Sequence, residues 1–375
     1  MKILISFLLA SLLINSLNCS FQSKLFNRMN KGKIGENLII SPLSIFQALS
    51  LAANGAKNET LSEMLELLES KSLDDLNKIN YDIILKFKKF DTIDIANAVM
   101  PRFTPLQKFV DVANNYLALV EPLESVEQVN NWCSNKTHGK IDKILNELSP
   151  ETIMIILNAV YFKGEWISLF EEGLTRDLPF YNLGKIEKNV PTMTQIEYFS
   201  YYEDKKVQVI RLRFTKDSMS AIIILPAEGT DINKYINTLS NSNKEYKKII
   251  NGLSYVKVHL KLPKFEVNFS ENLNEILKDL GMYNAFSSEY ADFSGLRKDG
   301  GLFISRVIHK TYLKVNEQGT EAAAVTAIAM DGAAFPGEEK IYEMKINRPF
   351  LFLLQNSELP EGYDLVFMSK IETLE

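Results

Sequence analysis

The residues able to do chemistry in this chain are few and widely spaced. There are three histidines, His138, His259 and His309, and two cysteines, Cys19 and Cys133. A thiol nucleophile needs a base within hydrogen-bond reach. Cys133 and His138 lie five residues apart on one expected helix, which turns them to different faces. No G-x-S-x-G, H-E-x-x-H, phosphate-binding or dinucleotide-binding loop occurs. One internal thiol and three scattered imidazoles give no metal-ligand spacing, so no metal site or cofactor is expected. Carboxylate neighbours such as Glu338-Glu339 read as ordinary exposed charges. An uncharacterised secreted enzyme is therefore the weakest of three readings. The stretch that stands out is Lys314–Phe335, KVNEQGTEAAAVTAIAMDGAAF. Between Gly319 and Ala334 it carries only two charges, Glu321 and Asp331. Taken with period two, Thr320, Ala322, Ala324 and Thr326 share one small, uncharged face. Such a face can enter a packed interior without burying a charge. Gly319 permits a hinge, and Gly332, Pro336 and Gly337 punctuate the far end. On composition alone, a short buried strand or an Ala-rich helix is the favoured reading.

The elements around this stretch follow from pattern. Phe21–Asn30 has apolar residues on one helical side. Ser41-Pro42 reads as a cap and first turn, opening a helix that Gly55 closes. Asn58 opens a further helix, and Leu73–Phe90 is another. Ile93–Met100 alternates like a strand, with a very short join before it. Leu106–Leu119 reads as helix and Val120–Leu123 as strand. Val126–Ile141 reads as a helix ended by Gly139. Thr152–Trp166 is an apolar run of the kind found in a strand buried on both faces. Val256–Val267 alternates, and Glu271–Phe286 reads as a helix stopped at Gly281. No repeat, low-complexity tract or linker interrupts the chain. Its 375 residues are 46% hydrophobic, enough for a large core. A formal net charge of −5 and the absence of a long basic block argue against nucleic acid. The densest basic run, Lys86–Phe90, reads as a solvated helix face.

Several of these segments together resemble the serpins. EQGTEAAAVTA is similar to the hinge of the serpin reactive loop. FISRVIHKTYLKVNEQGTEAAA (Phe303–Ala324), NAVYFKGEW (Asn158–Trp166), INRPFLFLL (Ile346–Leu354) and LVFMSKI (Leu365–Ile371) extend the match. The resemblance runs from about Phe21 to Lys370, with its motifs in order. It implies an α+β serpin fold: a large central, mostly antiparallel sheet with packed helices, further sheets and an exposed reactive loop. The implied activity is suicide inhibition of a serine protease. The protease attacks a loop carbonyl and becomes an acyl-enzyme. The severed loop then inserts into the main sheet before water can release the enzyme.

The resemblance also assigns residues. The hinge is Glu317, Gly319, Thr320, Glu321, Ala322, Ala323 and Ala324. Ser41, Ser44, Asn158 and His309 match a polar cluster beneath the centre of the sheet, where strands part. Read as plain core residues, they would simply have to be hydrogen-bonded. Lys264 and Glu317 match a charged pair at the top of the sheet, beside Trp166. Counting Glu317 as the seventeenth residue before the cut places the reactive bond at Ala333–Ala334. A methyl group there suits an elastase-like pocket, whereas Met330 or Phe335 would suit a chymotrypsin-like one. Ser369 stands where the family usually has Gly. The short join before Ile93 trims a helix that carries the glycosaminoglycan site of some relatives. The implied partner is the target protease in a covalent complex, with no membrane and a monomeric state expected. The alternative is a non-inhibitory serpin acting as a carrier or chaperone.

The N-terminus sets a further expectation. Met1-Lys2, a twelve-residue apolar run Ile3–Ile14 and polar NSLNCS have the layout of a secretory signal peptide. That divides the chain into a leader, residues 1–19, and a serpin domain, residues 20–375. It predicts a secreted, extracellular protein with Cys133 as its lone thiol. Sequons at Asn58, Asn135 and Asn268 would then be candidate N-glycosylation sites.

Overall fold

The computed structural model describes residues 20–90, 92–241, 243–320 and 340–375. The expected leader and most of the candidate hinge and reactive bond (Glu321, Ala322, Ala323, Ala324, Ala333 and Ala334) lie outside the described residues. From the N-terminus the elements are α1 (Phe21–Asn30), β1 (Leu38–Ile40), α2 (Pro42–Ala53), α3 (Asn58–Leu67), α4 (Leu73–Phe87) and β2 (Ile93–Pro101). Then come α5 (Gln107–Asn115), β3 (Leu119–Val120), α6 (Val126–Lys136), β4 (Met154–Phe162), β5 (Gly164–Glu165), β6 (Arg176–Asn182) and β7 (Ile186–Glu203). β8 (Val207–Arg213), β9 (Met219–Pro226), α7 (Ile232–Ser240), α8 (Asn243–Asn251), β10 (Ser254–Pro263) and β11 (Phe265–Asn272) follow. The chain ends with α9 (Asn274–Asp279), β12 (Arg306–Val315), β13 (Gly319–Thr320), β14 (Tyr342–Lys345), β15 (Phe350–Asn356) and β16 (Leu365–Ile371).

These strands form three sheets. A five-stranded sheet runs β11-β12-β4-β2-β3. A nine-stranded sheet runs β1-β16-β15-β9-β8-β7-β10-β14, with β6 added on β7. The third is the two-residue pair β13-β5. Within the five-stranded sheet β12 and β4 are parallel neighbours, as are β2 and β3, and the other joins are antiparallel.

The apolar run through β4 is buried at all nine positions. Its period-two faces go to different cores. Met154, Ile156, Val160 and Phe162 join the main core, while Ile155, Leu157 and Ala159 join a second cluster with Val129, Trp132 and Cys133 of α6. The sheet is therefore covered on both sides, and only a near-continuous apolar sequence can occupy its centre. The main core contains α2, whose twelve residues are all buried; this is why the helix carries no charge on any face. Ser41 caps it by accepting from Ser44 N, and Pro42 sits in the first turn.

Some boundaries differ from expectation. The helix expected over Glu271–Phe286 is confined to Asn274–Asp279, because Glu271 and Asn272 are paired with His309 and Ile308 at the end of β11. The strand expected over Val120–Leu123 is Leu119–Val120. α6 stops at Lys136, so His138 is not on it; His138 adopts φ 51 and meets Asp94 at 2.9 Å. Burial pushes the neighbouring Cys133 thiol up to about 12, which makes it a packing residue and not a nucleophile. Ser369 is fully buried in β16, and its hydroxyl has no hydrogen-bond partner among the described residues. Asn58, Asn135 and Asn268 are exposed, with the Asn58 amide bonded to Asp292.

Candidate functional site

The site is built around the parallel join of β12 and β4. Six residue pairs hold it, from Arg306 with Ile155 to Thr311 with Val160. At its midpoint His309 lies opposite Asn158. Here four of the sequence candidates are brought together. His309 Nε2 accepts from Ser41 N–H at 3.1 Å, which leaves the proton on Nδ1 to donate to Asn158 Oδ1 at 2.8 Å. Ser44 Oγ donates to the same Asn158 oxygen at 2.6 Å. Asn158 Nδ2 donates to Asn97 Oδ1 of β2 at 2.8 Å. Sequence reasoning missed Asn97; its signal was a lone amide in the otherwise apolar inner half of an alternating strand. Burial lowers the His309 pKa to about 3, so the imidazole is neutral and the cluster carries no charge. Every group in this buried network is paired, as its low-dielectric surroundings demand.

At one end of the join the chain leaves β12 and turns back. Asn316 N donates to Gly319 O at 2.9 Å, and Gly319 N returns to Asn316 O at 3.2 Å. β13 then runs antiparallel to β5, the continuation of β4, pairing Gly319 with Glu165 and Thr320 with Gly164. Gly319 holds φ 142, and a Cβ there would collide with the Gly164 carbonyl and come within 2.9 Å of Glu165 Cα. Only glycine fits this approach. Thr320 is fully buried, and its Oγ1 accepts from Gly164 N at 3.0 Å.

The turn is anchored by groups on either side. Trp166 stacks on Phe214 at 4.3 Å between centroids, and its Nε1 donates to Asn316 O at 3.0 Å. Its backbone N–H donates to Gln318 O, and Phe170 N donates to Glu317 O, each at 3.0 Å. Glu317 is 5% exposed; its carboxylate meets Lys264 Nζ at 2.9 Å and accepts from Thr175 Oγ1 at 2.7 Å. Burial alone would raise this carboxyl. The bonds from Lys264 and Thr175 outweigh it and hold the group below its usual range. Thr175 and Phe170 carry no sequence signal that could have linked them to a residue about 140 positions away.

The remaining histidine, His259, sits on another sheet, where its Nε2 meets Thr194 Oγ1 at 3.1 Å. No group of three or more His, Cys, Asp or Glu side chains among the described residues is placed to hold a metal. No helix among them is long and apolar enough to cross a membrane.

Comparison with known proteins agrees with this architecture. Residues 16–371 match the family model described as Serpin (serine protease inhibitor). A leukocyte elastase inhibitor from Xenopus laevis is 32% identical over 89% of this chain and 93% of its own. Intracellular coagulation inhibitor 2 from Tachypleus tridentatus is 32% identical over 86% of this chain and 83% of its own. The crystal structure of tengpin, a thermophilic serpin in the native state, superposes with a TM-score of 0.84. It is 33% identical and covers 95% of this chain and 93% of its own. The expected secreted, extracellular localisation is corrected by these relatives. An inhibitor named as intracellular stands among them, against the secretion expected from the apolar N-terminus.

Proposed function

The chain belongs to the serpin family, and from that premise we propose that it inhibits a serine protease by trapping the acyl-enzyme. The observation that carries the reading is β13. Two residues already run antiparallel to β5 at the end of a join between two parallel strands. A strand continuing from Thr320 into that join would lie antiparallel to both β12 and β4. It would replace one ladder with two, and each added hydrogen bond is worth roughly 1 kcal/mol net. The sequence that follows, EAAAVTA, places small residues on the face that must pass through the core.

In this reading the protease serine attacks the Ala333 carbonyl, Ala334 leaves as the new amine, and an ester links the two proteins. Insertion of some fifteen residues at ~3.3 Å each carries the acylated enzyme roughly 50 Å. The displaced oxyanion hole no longer activates the ester, and hydrolysis stalls. Glu317, Gly319 and Thr320 form the described part of the hinge. Ser41, Ser44, Asn158 and His309, with Asn97, form the cluster that must re-pair when β12 and β4 separate. Trp166, Lys264 and Glu317 fix the turn from which insertion starts. An elastase-like target follows from the small residue at Ala333.

The carrier alternative has little room in one apolar cavity, while wider hollows of about 640, 750 and 820 Å³ open elsewhere on the surface. The apolar cavity between α1, α7 and strands β9, β15 and β16 holds about 60 Å³ of free space. Small-molecule sites run to several hundred. Incubation with elastase, chymotrypsin and trypsin tests the proposal. A covalent complex stable on a denaturing gel is expected with elastase or chymotrypsin. Cleavage without any complex overturns it.

A further inference from the structure

Beside the hinge turn is a shallow hollow of about 90 Å³ that none of the roles above uses. Trp166, which holds Asn316 at the turn, lies in its lining. Ile167, Tyr198 and Tyr255 form its apolar rim and are 51%, 40% and 74% exposed. The two tyrosines stack across β7 and β10 with centroids 5.6 Å apart, and Lys257 Nζ lies 5.6 Å from the Tyr198 ring centre. The charged residues of the lining are both cations, Arg211 and Arg213. Arg211 gives one Nη2 bond to Gln355, while its buried Nε has no partner among the described residues.

Exposed aromatics beside arginines are the composition of a protein-binding hot spot and not of a solvated sheet face. The position selects the partner. Residues 321–339, nineteen in number, leave from Thr320, next to the Gly164–Trp166 turn. They rejoin the described chain ahead of β14, which pairs with β10, the strand that carries Tyr255. Any enzyme held on that segment is thus tethered at both ends beside the hollow. We infer that the Trp166–Tyr198–Tyr255–Arg211–Arg213 hollow is an exosite for the target serine protease, receiving an apolar side chain and a neighbouring carboxylate from the enzyme surface. This rests on the inhibitory reading and adds to it. Protease choice would then be set partly by a surface outside the reactive bond.

The test measures encounter apart from trapping. Elastase and chymotrypsin, each with its catalytic serine replaced by alanine, are titrated against the full chain by surface plasmon resonance. The Tyr198→Ala/Tyr255→Ala and Arg211→Ala/Arg213→Ala variants are titrated in parallel, with melting curves to verify folding. The expected result is a Kd weakened about tenfold or more for at least one enzyme. The arginine variant should also lose much of its salt dependence. Equal Kd values for wild type and both variants, or no binding of either enzyme, overturn the exosite. So does an unchanged Kd with faster thermolysin cleavage within 321–339, which would put this chain's own segment in the hollow. A wild-type dimer lost in the tyrosine variant would assign the hollow to a second copy and also overturn it. Covalent complex formation with the active enzymes is scored separately. Tight binding without a complex sinks the inhibitory reading alone, and a complex with unchanged Kd values sinks the exosite alone.

Discussion

Thr320→Arg should turn the inhibitor into a substrate. Thr320 is fully buried, and its hydroxyl is the acceptor for Gly164 N–H at 3.0 Å. Arginine removes that acceptor, an unpaired amide worth about 1–3 kcal/mol. It also asks a guanidinium to enter the join between β12 and β4, where the interior is apolar apart from the neutral His309 cluster. In the intact protein the side chain can swing out and release β13. During insertion it cannot, because residue 320 must enter first. Even if snorkelling relieves part of the burial, a barrier raised by about 2–4 kcal/mol slows insertion roughly 30- to 1,000-fold. Hydrolysis of the acyl-enzyme occurs on the protease and is untouched. If wild type loses about one molecule in ten to hydrolysis, a 30-fold slower insertion raises the stoichiometry of inhibition to about four. Larger barriers abolish complex formation. The assay is residual elastase activity against inhibitor ratio, with the products resolved on a denaturing gel. Thr320→Ser, which keeps the hydroxyl, should behave as wild type. A Thr320→Arg protein that melts normally and keeps a stoichiometry within about twofold of wild type would refute the insertion argument.

Three further outcomes are expected. Cleavage within residues 321–339 should raise the melting midpoint steeply, since a strand is added to the five-stranded sheet and both flanking ladders are satisfied; superimposable curves before and after cleavage would show that nothing inserts. The fragment released from the wild-type complex should begin at Ala334 by mass spectrometry, and a start at Asp331 or Pro336 would move the cut to Met330 or Phe335; Ala333→Arg should in addition bring trypsin under inhibition, and no gain against trypsin would show that Ala333 is not the specificity residue. His309 should make the protein acid-sensitive. Its folded pKa of about 3 lies below the ordinary 6.5, so the unfolded chain binds the extra proton. Stability is then full above pH 6.5 and falls as pH drops from there towards 3, at up to ~1.4 kcal/mol per unit. Urea midpoints between pH 7 and pH 4 measure it, and His309→Gln should flatten that slope.

Much of this molecule is set by local sequence. The apolar run Met154–Phe162 admits only a strand covered on both faces, and Ser41-Pro42 fixes where α2 begins, because caps and periodicity act within a turn or two. The stretch after Gly319 stood out for the same reason, because a small, uncharged period-two face is a property of nearby positions, but its reading as a hinge came from the resemblance to the serpins. What the sequence left open was decided by groups far apart in the chain. The start of the helix expected from Glu271 went to β11, because pairing with β12 supplies the backbone partners of Glu271 and Asn272. Asn97 joined the His309 cluster only because β2 pairs in register with β4. Thr175 and Phe170 anchor Glu317 from a turn about 140 residues earlier. The placement of β13 beside β5 required the β12–β4 register, the Trp166 stack and the open Gly319 backbone at once. Strand register between distant segments is a property of packing both faces of the sheet simultaneously, and no window of neighbouring residues contains that information.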